Sequence, residues 1–292
     1  SIFCYTGKSS YDTEINIDAE SALILDYDTG DILWEKNSER SMYPASTTKM
    51  LSAIIAIENI DDFQEIIEIS ENASGRNHSA FRFRTGDMMS LNDLIKAALI
   101  CSHNNATIAL AEYVSGSAED FISLMNEKAE EINAKNSFFQ NTNGLDDDFP
   151  DHKSTAQDLA VIASYCMKND LFKEIVNLKN DIIVKNEEHI EITNTNNLLD
   201  YDYIEGIKTG YTYNAGHCLV VYSEKENLKL ITVILNSSES KRDKDALKLL
   251  DWAYSNLKYI KIVDSHKAAA NETIGDKTEL SLDLYPEADY VE

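Results

Sequence analysis

Apolar residues recur along this chain with two periods, and the places where the period changes mark its elements. Residues 22–27 carry Ile24 and Leu25, residues 31–35 carry Ile32 and Trp34, and Asp28-Thr29-Gly30 lies between them. β-favouring residues on both sides of a turn triplet predict a hairpin. From Ser46 to about 58, Met50, Ile54, Ile55 and Ile57 keep the spacing of a buried helix. Residues 66–69 read as a short strand, and 75–86 as a polar loop carrying Phe81-Arg82-Phe83-Arg84. Ser90 is placed to cap a helix that runs to about 100. Cys101-Ser102-His103-Asn104-Asn105 breaks the pattern, and a second helix runs from about 106 to 114, stopped by Gly116. Residues 118–132 predict a strongly amphipathic helix, 141–151 a loop rich in Asn, Asp and Gly, and Ser154-Thr155-Ala156-Gln157-Asp158 the start of a helix reaching about 169. Short strands are expected at 181–184 and 190–193. The runs 218–222 and 228–235 predict a second hairpin turning at 224–227. Residues 244–257 predict a helix containing Leu247, Leu250, Trp252 and Tyr254. Beyond 259 the alternation is strand-like but forms no complete unit, and no internal repeat or low-complexity linker is found.

Strands at both ends of the chain with helices between them predict an α+β fold. Its first hairpin pairs with its last in an antiparallel sheet, and a helical subdomain packs alongside. A length of 292 residues suits one large domain with a small appendix, and 43% hydrophobic residues suffice for a sizeable core. The expected division is a tail over 1–18, a main domain over 19–262, and the start of a C-terminal β-rich domain, cut short, over 263–292.

Charge narrows the partners. With 26 basic against 51 acidic residues the net charge is −25, which disfavours nucleic acid and anionic membrane surfaces. Cys4, Cys101, Cys166 and Cys218 are widely spaced and form no C-x-x-C pair, so neither a zinc site nor a disulfide framework is signalled. The last three sit in apolar segments and read as small core hydrophobes. No apolar run approaches the ~18 residues of a membrane span. The chain opens on Ser1, as expected of a processed or trimmed protein, and no signal peptide or anchor is readable in it.

One stretch stands out chemically: Pro44-Ala45-Ser46-Thr47-Thr48-Lys49-Met50. Residues three apart share a helix face, so the Ser46 hydroxyl and the Lys49 amine can meet. A serine hydroxyl is a weak nucleophile that needs an adjacent base. Alone, Ser-x-x-Lys is a weak signal, readable as a helix start with a surface lysine. Ser102-His103-Asn104 alone could be a polar break between helices, and Lys208-Thr209-Gly210 the start of any strand. Their strength is in occurring together, in this order, each in a suitable setting.

That triple resembles the active-site motifs of penicillin-binding proteins and serine β-lactamases. It is most similar to the low-molecular-mass penicillin-binding proteins, the serine-type D-alanyl-D-alanine carboxypeptidases of peptidase family S11. The resemblance spans roughly 19–262. It extends to Ala22-Leu23-Ile24-Leu25-Asp26, Asn143-Gly144-Leu145, Ser154-Thr155-Ala156-Gln157-Asp158 and Gly206-Ile207-Lys208-Thr209-Gly210-Tyr211-Thr212. It implies the serine β-lactamase/penicillin-binding-protein fold. Ser46 would attack the carbonyl of the penultimate D-Ala of a peptidoglycan stem peptide. Lys49 would be its base, with its pKa lowered by burial and by Lys208. Ser102 would pass a proton to the leaving nitrogen, and Asn104 would hold Lys49 and the substrate. Lys208, Thr209 and Arg242 would take the terminal carboxylate. The backbone N–H groups of Ser46 and Tyr211 would form the oxyanion hole, and Gly210 would leave room at the strand edge. The resemblance also implies covalent inhibition by β-lactams, no cofactor or metal, and a place in the cell envelope outside the cytoplasmic membrane.

The middle motif is often Ser-Gly-Asn in this family; here His103 adds bulk, and its ring is expected to point away from the site. His152 and His217 are expected to be structural. A class A β-lactamase would need a deacylating glutamate in an E-x-x-x-N element, and no asparagine between Asn105 and Asn197 has one. A DD-transpeptidase would use the same residues. A non-catalytic scaffold would be expected to have lost Ser46, Lys49 or Lys208, and a metallopeptidase lacks its H-E-x-x-H.

Overall fold

The computed structural model describes residues 15–75 and 81–257, and beyond them the backbone of strands 261–263, 270–274, 280–284 and 290–291. Cys4, most of the expected tail and the middle of the 75–86 loop lie outside the described residues.

The expected first hairpin is β1 (Ser21–Asp26) and β2 (Ile32–Lys36). After it, the helix begins as a 3-10 turn, Ala45–Thr48, and continues as α1 (Lys49–Asn59), so Ser46 sits in the tighter turn and Lys49 opens the helix proper. A short β3 (Ile66–Glu68) and β4 (Met88–Ser90) lead to α2 (Leu91–Leu99), where Ser90 accepts from the Asp93 N–H as its cap. Then come α3 (Asn104–Ser115), stopped by Gly116 at φ +81°, and α4 (Ala118–Glu131). Next are α5 (Ala156–Cys166), capped by Thr155, and α6 (Asp170–Val176), a stretch to which the sequence reading assigned no element. A second, four-stranded sheet is completed by β5 (Asn180–Lys185) and β6 (Glu188–Thr193), in the order β3-β4-β5-β6. The chain returns to the large sheet with β7 (Lys208–Thr212), β8 (Gly216–Lys225) and β9 (Leu228–Ser237), followed by α7 (Arg242–Asn256). Among the C-terminal strands, β10 (Lys261–Val263) pairs with β13 (Tyr290–Val291), and β11 (Ala270–Ile274) with β12 (Leu280–Leu284).

The large sheet is antiparallel with order β2-β1-β9-β8-β7, so the first hairpin does pair with the last, through β1 and β9. It is buried on both faces. Leu23, Leu25, Val220, Ile231 and Val233 face the helical side, whereas Ile24, Leu219, Val221, Leu230 and Ile234 face the side covered by α7. Double burial is why these strands read as continuous apolar runs rather than alternating ones. α1 is the hub of the helical subdomain, with every residue from Lys49 to Ile57 buried. The sheet ends at β7, and that edge carries Lys208, Thr209, Gly210 and Tyr211 beside the turn that carries Ser46.

Candidate active site

Two unusual backbone choices shape the Ser46 turn. Ala45 lies in the left-handed region at φ +48°, a conformation that non-glycine residues adopt rarely and at a cost. Beneath it, Gly144 has φ +90°, and a Cβ there would lie 1.8 Å from the Ala45 carbonyl oxygen. Only glycine allows this approach. On the other side, a Cβ on Gly210 would lie 2.9 Å from the Ser46 nitrogen, so β7 packs directly against the turn. The Ser46 backbone is thus held between the 141–146 loop and the sheet edge. That loop is set by Asn141, whose Oδ1 accepts from the Asn143 and Gly144 N–H groups and whose Nδ2 donates to the Leu145 carbonyl.

Lys49 is fully buried and has three partners for its amine. Nζ lies 2.7 Å from Ser46 Oγ, 2.7 Å from Asn104 Oδ1 and 2.9 Å from the Asn143 carbonyl oxygen. The last two can only accept, so they use two N–H bonds. A neutral amine then has one lone pair left, aimed at the Ser46 hydroxyl proton. Electrostatics favours that neutral form. Burial, and then the nearby Lys208 cation, hold the Lys49 pKa well below its ordinary value, against a small opposing effect of Cys101. Burial, with a further push from Arg242, also brings Lys208 down to about 7.

Ser102 stands at the break between α2 and α3 in the left-handed region, φ +60°, two residues before Asn104. The turn lets α3 begin at Asn104 with its side chain on Lys49. His103 turns away, as expected. Its ring stacks on Phe83 at 4.0 Å and lies 4.6 Å from Phe81, with Nε2 2.9 Å from the Phe81 carbonyl oxygen. Phe83 is 1% exposed, so the expected polar loop is pinned to the core at this point.

On β7, Lys208 donates to the Thr209 carbonyl at 3.2 Å, and the Thr209 hydroxyl donates to the Thr195 hydroxyl at 2.6 Å. The Tyr211 side chain is exposed and lies against His217 at 4.4 Å. Arg242 is paired with Asp243 at 2.7 Å and is close enough to lower the pKa of both Lys208 and His217. Direct hydrogen bonds thus join Ser46, Lys49 and Asn104. Ser102 is positioned by the same turn as Asn104, and β7 brings Lys208, Thr209, Gly210 and Tyr211 alongside. Sequence reasoning missed the Asn143 carbonyl and Thr195. The first was signalled only by the turn composition of Asn141-Thr142-Asn143-Gly144. His152 is structural: Nδ1 accepts from the Gln140 N–H at 3.0 Å, so Nε2 carries the proton toward Thr48 Oγ1, 2.9 Å away. Among the described residues no group of His, Cys, Asp or Glu is arranged to hold a metal, and no helix is long and apolar enough to cross a membrane.

Known proteins share this architecture. Residues 8–239 match the peptidase S11 family, described as D-alanyl-D-alanine carboxypeptidase. The chain is 33% identical over 250 residues to the D-alanyl-D-alanine carboxypeptidase DacF of Bacillus subtilis. That match takes in 83% of the chain but 64% of the relative, so the chain spans just under two thirds of that protein's length. Penicillin binding protein 5 from Haemophilus influenzae superposes with a TM-score of 0.80 at 29% identity, over 96% of this chain and 83% of that one. A Streptomyces K15 DD-transpeptidase structure superposes with a TM-score of 0.77 at 25% identity, over 83% of this chain and 100% of that one. A sequence match over most of the length, the shared fold, and the three motifs gathered round one buried lysine lead to one conclusion. The chain belongs to the peptidase S11 family of D-alanyl-D-alanine carboxypeptidases.

Proposed function

We propose that this protein is a serine D-Ala-D-Ala carboxypeptidase that removes the terminal D-Ala from peptidoglycan stem pentapeptides, with residues 19–262 as its catalytic domain. The observation that carries the reading is the Lys49 amine, buried, depressed in pKa, and 2.7 Å from Ser46 Oγ, with Asn104 Oδ1 and the Asn143 carbonyl as its other two partners. Lys49 takes the Ser46 proton as Oγ bonds to the carbonyl carbon of the penultimate D-Ala. The Ser46 and Tyr211 N–H groups meet the developing oxyanion. The bond to the leaving nitrogen then breaks, and the proton reaches that nitrogen from Lys49 by way of Ser102. Water attacks the resulting ester, releasing the shortened peptide and free Ser46. Lys208, Thr209 and Arg242 bind the terminal carboxylate, a charge-assisted interaction of the stronger kind. In a β-lactam the leaving nitrogen stays tethered to the acyl group, so the adduct persists. The substrate places the protein's work in the cell envelope, outside the cytoplasmic membrane.

The test is intact-protein mass spectrometry after incubation with benzylpenicillin, followed over hours. A stable adduct on the wild type and none on Ser46→Ala is expected. Rapid clearance of the adduct would point to a β-lactamase, and labelling that survives the substitution would place the nucleophile elsewhere. The K15 likeness gives transpeptidation as the second reading. Transfer of the acyl group to an added amine in preference to water would favour it.

A further inference from the structure

Thr195 has no place in the three motifs, yet the structure ties it to two of them. Its backbone N–H donates to the Ile100 carbonyl at 3.1 Å, just before the Ser102 turn. Its hydroxyl receives the Thr209 hydroxyl proton at 2.6 Å, on the edge strand β7. The residues on either side make this position rigid. Asn194 and Asn196 are buried at 7% and 2% exposure, whereas Thr195 between them is exposed. The Asn194 side chain donates to the Val176 and Leu178 carbonyls and accepts from the Asn196 N–H. The Asn196 side chain donates to the Gly206 carbonyl and accepts from the Leu198 N–H. Two buried asparagines therefore anchor a short strap between the helical subdomain and the start of β7. The strap presents one outward hydroxyl against Thr209.

The chemistry of two adjoining hydroxyls gives that arrangement a use. A hydroxyl has one proton and two lone pairs. While the Thr209 proton is spent on Thr195, it is not available to a carboxylate, and the Thr195 proton is. A carboxylate that takes the Thr209 proton leaves Thr209 Oγ1 as the acceptor, and Thr195 then supplies a proton to it. Either way the pair delivers one directed O–H to an anion beside Lys208, without a buried polar group left unpaired.

We propose that Thr195 is a specificity-determining residue of this site: with Thr209 it forms a two-hydroxyl donor for the substrate's terminal carboxylate. This rests on the carboxypeptidase reading above. It makes Thr195 matter for substrates ending in a free carboxylate and not for the acylation chemistry at Ser46.

The experiment compares wild type, Thr195→Val and Thr195→Ser on two substrates, a tripeptide ending in D-Ala-D-Ala and the same peptide capped as its C-terminal amide. Thr195 is exposed, so both variants should keep the fold, which equal melting temperatures would verify. On the free acid, Thr195→Val should raise KM severalfold, about threefold to fivefold, because the Thr209 hydroxyl still reaches the carboxylate but loses the second hydroxyl that orients and polarises it, with kcat within about twofold. Thr195→Ser should restore KM. The capped peptide, however slowly it turns over, should show the same kcat/KM in all three proteins. An unchanged KM for Thr195→Val, or an equal loss on the capped peptide, would overturn the assignment. Failure of the wild type to release D-Ala from either peptide would instead overturn the carboxypeptidase reading, and this proposal with it.

Discussion

At the scale of single residues, the site is built by keeping lysines where lysines are costly. Lys208 is 1% exposed, and the one hydrogen bond its side chain makes among the described residues is to the adjacent Thr209 carbonyl. Its pKa is pulled to about 7, whereas an unfolded lysine titrates near ~10.4. Between those values the unfolded chain holds more protons than the folded one, so stability rises with pH across that window. At pH 7 and below, the buried lysine costs on the order of 4 kcal/mol. Lys208→Met, of similar shape and without charge, should therefore raise the melting temperature at pH 7 by several degrees. The gain should shrink at pH 10, where the folded lysine is neutral and the unfolded one has begun to lose its proton, so that little of the proton-linked cost is left. If Lys208 binds the terminal carboxylate as proposed, the same substitution should cut D-Ala release from free-carboxylate substrates by roughly a hundredfold. Thermal melts at the two pH values, with kinetics on the same samples, check this. A lower melting temperature at pH 7 would mean that Lys208 is held by favourable interactions after all.

At the scale of elements, the Ser46 turn depends on what packs beneath it. The 141–146 loop supplies both the Asn143 carbonyl to Lys49 and the gap at Gly144 that Ala45 fills. Gly144→Ala adds one methyl group 1.8 Å from the Ala45 oxygen, in a left-handed conformation that alanine disfavours. The loop and the Ser46 turn must separate. The cost should be about 3 kcal/mol or more, and penicillin acylation should fall steeply because Lys49 loses its carbonyl partner and its hold on Ser46 together. Urea titration and the acylation rate would measure the two effects. A stable variant that acylates normally would show that the loop plays no part in placing the pair. These elements were unequally legible in the sequence. Helix α2 could be read because its period and the capping Ser90 agree, α4 from its amphipathic period and α5 from its start at 154–158; the structure adds caps at Ser117 and Thr155. The short α6 was hidden, since its seven residues give too little period beyond the polar Lys168-Asn169. Lys208-Thr209-Gly210 carries no β pattern of its own, and its strand state comes from pairing with β8. The Ser46 and Lys49 contact was foreseen from their spacing on a helix, and that of Asn104 from the family resemblance. The Asn143 carbonyl was not, because any residue can offer a backbone acceptor and only the fold says which one does.

At the scale of the whole molecule, folding forces two histidines to stay neutral, and this sets how the protein meets acid. His103 is 1% exposed, with Nδ1 buried and unpartnered, and its other nitrogen lies on the Phe81 carbonyl. His152 is fully buried, with Nδ1 receiving the Gln140 N–H, so a proton added there would face another donor. Burial brings both pKa values down to about 4. An unfolded histidine titrates near ~6.5, so as pH falls from 6.5 to 4 the unfolded chain takes up protons that the folded chain refuses. Stability is full above the upper value and declines through the window, by up to about 3 kcal/mol for each histidine. The net charge of −25 acts in the opposite direction, since self-repulsion eases as carboxylates begin to protonate. That contribution is screened at ~0.15 M salt, where the Debye length is about 8 Å, whereas the buried histidines are not. Urea unfolding at physiological salt should therefore show stability falling steadily between pH 6.5 and 4, with the fall already under way above about pH 5, where most carboxylates have yet to titrate. His152→Gln, which can still accept from Gln140 and donate to Thr48, should remove about half of that slope while changing stability little at pH 7. A slope that the substitution leaves intact would assign the acid sensitivity to groups outside this buried pair.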